Sequence, residues 1–486
     1  MHKLYRLSAV VALLALGGCI SLAPSYERPA IDLPSDWAAL NGVDASSIGQ
    51  DWWKVYGDEQ LNQLVEEALK NNADIEIALA RVDFARAQHG IARANRFPSI
   101  DATAERGRAF ASTRAGTLPA GAQRELDTYQ AGATVSYELD LWSRFRDASE
   151  AARAEVLASE AAQQTVHITV AASVVQAYFT LRSLDEQLAA TQRSIDTRSE
   201  SLALQKLRFN SGVISEFEYR QIEAETLAAR AQLPVIENLR EQQETTLAVL
   251  LGKAPRDIYT SHLVESIATD EVGETPVQVA PTGLPSELLL RRPDLVDAEQ
   301  QLIAANARIG VARSAYFPSI SLTGFYGSQS SALDDLFTGP ARTWNVAVSL
   351  TQPIFNAGRI GAGVDAANAR QREALARYQQ AVQNAFRDVR NALIAQAKTR
   401  AQFEAENDRV ITLRETLRLA QLRYQNGIAS QLDVLDAERN LLGAQLNRSN
   451  ALRAQRAAIA DLFKALGGGW GTPPETATNQ TGKQTP

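Results

Sequence analysis

The sequence predicts a mostly helical membrane protein whose four β-strands close with those of other copies into a transmembrane barrel; three chains would give a 12-stranded barrel. Three observations predict it. The chain contains a gapless internal duplication, four short stretches of alternating apolar and polar residues, and two helical patterns of some 65 residues each.

The 486 residues, 45% hydrophobic and 22% charged, are ample for a large core. The start, MHKLYRLSAVVALLALGGC, sets Lys3 and Arg6 before an apolar run that ends in small residues. That is a secretory signal, too short to span a bilayer. Removing residues 1–18 takes away two positive charges, so the net charge of −7 becomes −9. Nucleic acid is no partner for such a balance, nor is an anionic surface. Cys19 is the only cysteine, which excludes a disulfide within the chain. Residues 19–50, with Pro24, Pro29 and Pro34, read as an extended tether rather than a packed element, and Trp52 and Trp53 as packing anchors.

The duplication is carried by two helix-periodic segments. Asn72-Ala73-Asp74-Ile75 aligns with Arg292-Pro293-Asp294-Leu295, Gly90 with Gly310, Arg93 with Arg313, and Phe97-Pro98-Ser99-Ile100 with Phe317-Pro318-Ser319-Ile320, all without a gap. The first repeat covers residues 51–257 and the second 285–467, with a linker at 258–284 and a disordered tail at 468–486.

Each Phe-Pro-Ser-Ile ends a helix, since proline disfavours helical backbone in the residue before it. Alternating stretches follow, at about 98–107 and 127–141 in the first repeat and about 318–328 and 343–355 in the second. One face of each is apolar and the other mainly small or polar, as in an outer-membrane barrel strand. A sheet embedded in lipid must close to satisfy its backbone, and four strands cannot close, so several chains are required.

Both hairpins of strands lead into long patterns rich in Ala, Gln, Arg, Glu and Leu. Helical hairpins are expected over about 144–252, with Pro234 as a kink or break, and over about 359–466. At 1.5 Å per residue, some 65 residues span about 100 Å, too long for a compact globule. The turns match as well: Phe209 stands where Tyr424 stands, and Gly212 where Gly427 stands, each glycine being a helix stop.

No enzyme chemistry is legible. His2, His89, His167 and His262 are the only histidines and form no metal-ligand spacing, and there is no glycine-rich phosphate loop. No cofactor is expected.

Several motifs carry a family resemblance: Leu16-Gly17-Gly18-Cys19, Tyr137-Glu138-Leu139-Asp140-Leu141-Trp142, Leu290-Arg291-Arg292-Pro293-Asp294-Leu295, Phe317-Pro318-Ser319-Ile320 and Phe355-Asn356-Ala357-Gly358-Arg359. In this order they resemble the outer-membrane factors of tripartite efflux systems, the TolC superfamily, and most closely its OprM-like lipoprotein branch. The first motif resembles a lipobox, which implies lipidation of Cys19, and Ile20 in place of an Asp implies the outer membrane. The resemblance further implies a homotrimer, a long periplasmic α-helical barrel below the membrane barrel, and a mixed equatorial domain. Its implied role is an exit duct for drugs or other small solutes in a Gram-negative bacterium. The implied partners are outer-membrane lipid, a periplasmic adaptor and an inner-membrane pump of the resistance-nodulation-division class.

The resemblance maps a periplasmic gate onto Tyr424, Leu432, Asp436 and Arg439, with Asp433 as a second acidic position. Under threefold symmetry Leu432 would form an apolar ring and Asp436 an acidic ring that favours cations. Ala429-Ser430-Gln431 is less bulky than the family's usual residues there. Arg208, Asn210 and Gly212 on one turn, with Arg423, Asn426 and Gly427 on the other, are candidate adaptor contacts. Two other readings stay open: an exit duct for type I protein secretion, and a lipid-anchored coiled-coil protein without a pore.

Overall fold

The computed structural model describes residues 21–32, 43–44, 51–112, 114, 123–260, 279–280 and 291–468. The signal at 1–18, Cys19, most of the linker and nearly all of the carboxy-terminal tail lie outside the described residues. In chain order the elements are β1 (Val43–Asp44), a 3-10 turn (Trp52–Tyr56), α1 (Glu59–Asn71), α2 (Ala73–Ala94), β2 (Ser99–Phe110), β3 (Glu125–Leu139), α3 (Arg144–Asn210), α4 (Glu216–Leu250) and α5 (Pro255–Thr260). There follow β4 (Val279–Ala280), α6 (Pro293–Ser314), β5 (Ser319–Ser330), β6 (Arg342–Thr351), α7 (Arg359–Gln425) and α8 (Gln431–Ala465). Element lengths match across the chain: α3 and α7 both have 67 residues, α4 and α8 both 35, and α2 and α6 both 22. None of the helices is long and apolar enough to cross a membrane among the described residues.

The described residues fall in two compact units, one within Met1–Ala30, Arg81–Ser159 and Asp297–Tyr378, the other within Ile31–Ala80, Glu160–Val296 and Gln379–Pro486. The first holds an antiparallel sheet of order β2-β3-β5-β6. Register places Ile100 opposite Val135, Val135 opposite Gly324, and Gly324 opposite Val346, so one apolar row crosses all four strands. On that face Ile100, Tyr326, Trp344, Val346, Val348 and Leu350 are all more than 60% exposed. The other face is small or polar, of Ser, Thr, Asn, Asp, Glu, Gln, Gly and Ala, with Leu126 exposed near one end and Phe325 buried. Its ring lies over Gly132 and Gly327, which are opposite one another, and a Cβ on either would come within 2.8 Å of it. A water-soluble sheet would bury its apolar face; here that face is open.

The strands stop where the backbone chemistry changes. The alternation suggested that β6 runs to 355, but it ends at Thr351, because Pro353 has no N–H for the ladder. The Gln352 side chain turns back to the carbonyls of Tyr316 and Pro353. β3 ends at Leu139 rather than 141, since the Asp140 carboxylate accepts from the N–H groups of Phe145 and Arg146 and so opens α3. Trp142 Nε1 donates to Pro318 O at 2.8 Å and its ring stacks on Phe317, so two of the signature motifs meet at the foot of the sheet. Beside them Ala151 and Ala154 of α3 pack on Ala304 and Ala307 of α6, small residues that let the backbones approach closely.

Residues 21–28 correct the reading of this segment as an unpacked tether. They are extended, but they are bonded along α6: Arg313 donates to Leu22 O, Asn306 to Pro24 O, and Tyr26 and Arg28 both donate to Glu299. The Ser21 hydroxyl donates to Asp147 at 2.9 Å. Gly310 is the floor of this seat, where a Cβ would lie 2.7 Å from Ala23 N and 2.1 Å from Asp147 Oδ2; its counterpart Gly90 faces open space.

In the second unit the buried core gathers Leu61, Val65, Tyr178, Leu181, Leu247 and Phe463. Trp52 is buried and stacks on Phe463 with ring centroids 5.0 Å apart, while Tyr178 donates to Asp58 at 2.6 Å. Arg292 of the Arg-Pro-Asp motif is held by Asp294 and donates to Ala465 O at 2.8 Å, satisfying a carbonyl at the end of α8. The short strands β1 and β4 pair in parallel. Pro234 neither ends nor splits α4, which runs through it for its whole length. One missing backbone donor in a helix of this length is offset by packing along its other turns.

Candidate functional site

Two helix-to-helix turns, built alike, frame the site in the second unit. In the second turn Gly427, at φ +71°, follows α7, with Gly427 N bonded to Tyr424 O and Ile428 N to Arg423 O, the pattern that ends a helix on a left-handed residue. The first turn repeats it: Gly212 has φ +68° and Val213 N bonds to Arg208 O. A Ser then starts each returning helix. Ser215 and Glu218 bond reciprocally, and the Asp433 carboxylate accepts from both the N–H and the hydroxyl of Ser430. The backbone N–H and then the hydroxyl of Ser430 hold the Asp433 carboxyl below the usual range. Asp433 thus caps the start of its own helix while remaining exposed.

The remaining gate candidates divide by orientation. Tyr424, in the last turn of α7, accepts from Arg208 Nη1 at 2.7 Å and Gln205 Nε2 at 3.0 Å. Its counterpart Phe209 stacks on Tyr219 of its own hairpin, with centroids 5.3 Å apart. Only the second-repeat aromatic therefore reaches across to the other hairpin. Leu432, Asp436 and Arg439 lie on α8, all more than half exposed. Asp436 accepts from Arg439 and from Asn440, and Arg439 also stands 3.7 Å from Glu225 of α4.

Among the adaptor candidates, Asn210, Gly212, Arg423, Asn426 and Gly427 are exposed at the turns. Asn426 spends its amide on Leu422 O, a turn contact. Arg208 is exposed too, yet its guanidinium is on Tyr424.

Sequence reading missed the row that faces Tyr424. Arg198, Ser201, Gln205 and Arg208 follow spacings of three, four and three on α3, hence one face, and they meet Glu438, Gln431 and Tyr424, which are seven apart. Gln205 is 2% exposed and Arg198 3%. Arg198 donates to Glu225 O at 2.9 Å, and its Nε is 3.9 Å from Glu438 Oε2. Burial raises the Glu438 carboxyl, and the Arg198 charge offsets part of that. The signal was available as a polar stripe at helical spacing in an Ala- and Leu-rich helix. Metal chemistry has no matching geometry: among the described residues no cluster of His, Cys, Asp and Glu could hold an ion.

An antiparallel sheet with an open apolar face and a polar reverse, joined to paired helices of 67 and 35 residues, defines a membrane-barrel channel protein. Comparison with known proteins gives the same class. The model of the outer membrane efflux protein family matches residues 64–253 and 284–468. The chain is 38% identical to the solvent efflux pump outer membrane protein SrpC of Pseudomonas putida, over 94% of this chain and 97% of that one. It is 37% identical to the outer membrane protein OprJ of Pseudomonas aeruginosa, over 96% of each. The crystal structure of the CmeC outer membrane channel of Campylobacter jejuni superposes with a TM-score of 0.87 at 31% identity, covering 93% of this chain and 95% of that one. The chain belongs to the outer membrane efflux protein family. It is an outer-membrane efflux channel, of a family whose members are channels rather than enzymes.

Proposed function

We propose that three copies close their sheets into a 12-stranded barrel and form a passive exit duct, with no chemical step of its own, for small organic solutes. The observation that carries it is the pair of open edges. β2 and β6 each pair on one side only among the described residues, and their outward face is apolar. In hydrocarbon every strand N–H and C=O needs a partner, so β6 of one copy joins β2 of the next. Residues 1–18 are removed as the signal, Cys19 carries the lipid, and the two helical hairpins reach into the periplasm. There an adaptor reads the turns around Asn210, Gly212, Arg423, Asn426 and Gly427, and a resistance-nodulation-division pump supplies substrate and energy.

The gate in this reading is Leu432, Asp436 and Arg439 of the second hairpin, held shut by Tyr424. Small organic solutes are favoured as cargo because SrpC is named for solvent efflux at 38% identity over nearly all of both chains. The test is the mass of the detergent-solubilised protein by light scattering, combined with planar-bilayer recording. Three chains per particle and discrete conductance steps support the duct; monomers without conductance sink it.

A further inference from the structure

The amino-terminal strap has a direction. Leu22, Pro24 and Arg28 meet Arg313, Asn306 and Glu299 in that order, so the strap runs antiparallel to α6. The helical stretch from Glu299 to Arg313 rises about 21 Å, and the strap from Leu22 to Arg28, fully extended, covers about 20 Å. The two keep step. Carried on in the same direction, the three residues back to Cys19 cover about 10 Å. That passes the end of α6 at Ser314 and reaches the level of Phe317 and Ser319, where β5 begins.

From that foot the outward face of the sheet carries a depression of about 580 Å³, lined by Pro98, Val135, Tyr137, Leu322, Tyr326 and Trp344. It exists because Gly324, in register between Val135 and Val346, has no side chain. A Cβ built there would meet nothing nearer than Asn345 O at 3.7 Å. Gly132 and Gly327 of the opposite face are covered by Phe325, whereas among the described residues no side chain covers Gly324. Pro98 and Tyr137 stand at the foot of the notch, Tyr326 and Trp344 at its upper end, and Gly324 lies about 17 Å up β5 from Ser319. From Leu322 to Tyr326 the notch follows β5 for about 13 Å, the length of several methylenes of an extended hydrocarbon chain.

We propose that this notch seats an acyl chain of the lipid on Cys19, so that the protein's own anchor is bound to its barrel. The inference rests on the reading of Cys19 as lipidated. The strap is what selects this chain over those of bilayer lipids: docked from Leu22 to Arg28, it keeps a chain attached three residues before Leu22 within reach of the notch at a high effective concentration, while free lipids exchange. The lining is mostly aliphatic and aromatic, with Thr323 and Asn345 on strands whose alternation turns their side chains to the other face, and no charged group, so it fits a hydrocarbon tail better than a headgroup.

The test is photocrosslinking in intact cells fed a fatty acid with a diazirine near its end. After irradiation, mass spectrometry of the digested full-length protein is expected to find the Cys19 peptide joined through its acyl chain to peptides containing Tyr326 or Trp344. Gly324→Leu fills the notch and should lower that product several-fold with the lipid mass on Cys19 unchanged. Inserting four residues between Ile20 and Ser21 leaves the barrel untouched and should lower it as well. If Cys19 is lipidated and the product is absent, or equal in both variants, the notch is not its seat. Adducts formed there by phospholipid chains alone assign the notch to bilayer lipid and overturn the proposal. An unlipidated Cys19 overturns it together with the anchor reading.

Discussion

The hydroxyl of Tyr424 lies 2.7 Å from Arg208 Nη1 and 3.0 Å from Gln205 Nε2, so one side chain of the second hairpin is tied to two of the first. The tie joins the two repeats within one chain. The first hairpin thereby takes part in holding the candidate gate, beyond serving as support.

Tyr424→Phe keeps the ring and removes both bonds. One charge-assisted and one neutral hydrogen bond together contribute about 1–3 kcal/mol. The resting open population should rise by about fivefold to a hundredfold, since each 1.4 kcal/mol is a factor of ten. Single-channel open probability in planar bilayers reads this directly, and an unchanged value would remove Tyr424 from the gate.

Gly310→Ala and Gly90→Ala form a matched pair at duplicated positions. The first methyl meets Ala23 and Asp147, whereas the second meets nothing within 4 Å. Gly310→Ala should cost about 1–3 kcal/mol and free the strap, by the ordinary penalty of overpacking. Gly90→Ala should be neutral or stabilise by about 0.5–1 kcal/mol, as alanine does within a helix. Thermal unfolding, with limited proteolysis at residues 21–30, distinguishes the two.

Asp147 titrates under the strap. Burial pushes its carboxyl up to about 6, against the Ser21 hydroxyl and the Arg146 charge, which favour the ionised form; Glu150 and Asp140 add to the rise. A raised carboxyl means that folding stability is fully present below its ordinary value near 3.8 and is lost as pH climbs through about 6. Strap protection by hydrogen exchange should therefore be greater at pH 5 than at pH 7. Asp147→Asn should flatten that difference, and an equal difference in both proteins would refute it.

Arg198 sits buried between Glu225 and Glu438. Arg198→Met leaves Glu438 buried without its cation, a change that costs about 3–5 kcal/mol for a pair broken on one side. Denaturant unfolding should show the loss, and the double variant Arg198→Met with Glu438→Leu should recover much of it.

Much of the fold was legible because it is written in periods. Alternation over residues 319–327 and the long runs without Gly or Pro give strand and helix by backbone chemistry alone, and Asn426-Gly427 marks its turn. The strap was not legible, since its partners Glu299, Asn306, Gly310 and Arg313 lie far along the chain and only folding brings them to Leu22 and Arg28. Pro234 does not break α4 for a related reason: propensity is local, while α4 has buried residues on both sides of Pro234. At the site, Leu432, Asp436 and Arg439 were visible as a charged and apolar series. Asp433 was visible beside them, but its bonds to Ser430, which cap the start of α8, were not.

The most direct measurement of the gate is single-channel conductance and reversal potential of the reconstituted wild type beside the double variant Leu432→Ala, Asp436→Ala. Both side chains are half-exposed on α8, so the fold should survive. A ring of Leu432 that restricts the pore and a ring of Asp436 that attracts cations predict higher conductance and weaker cation preference in the variant. Equal conductance and equal selectivity would contradict a gate at these residues.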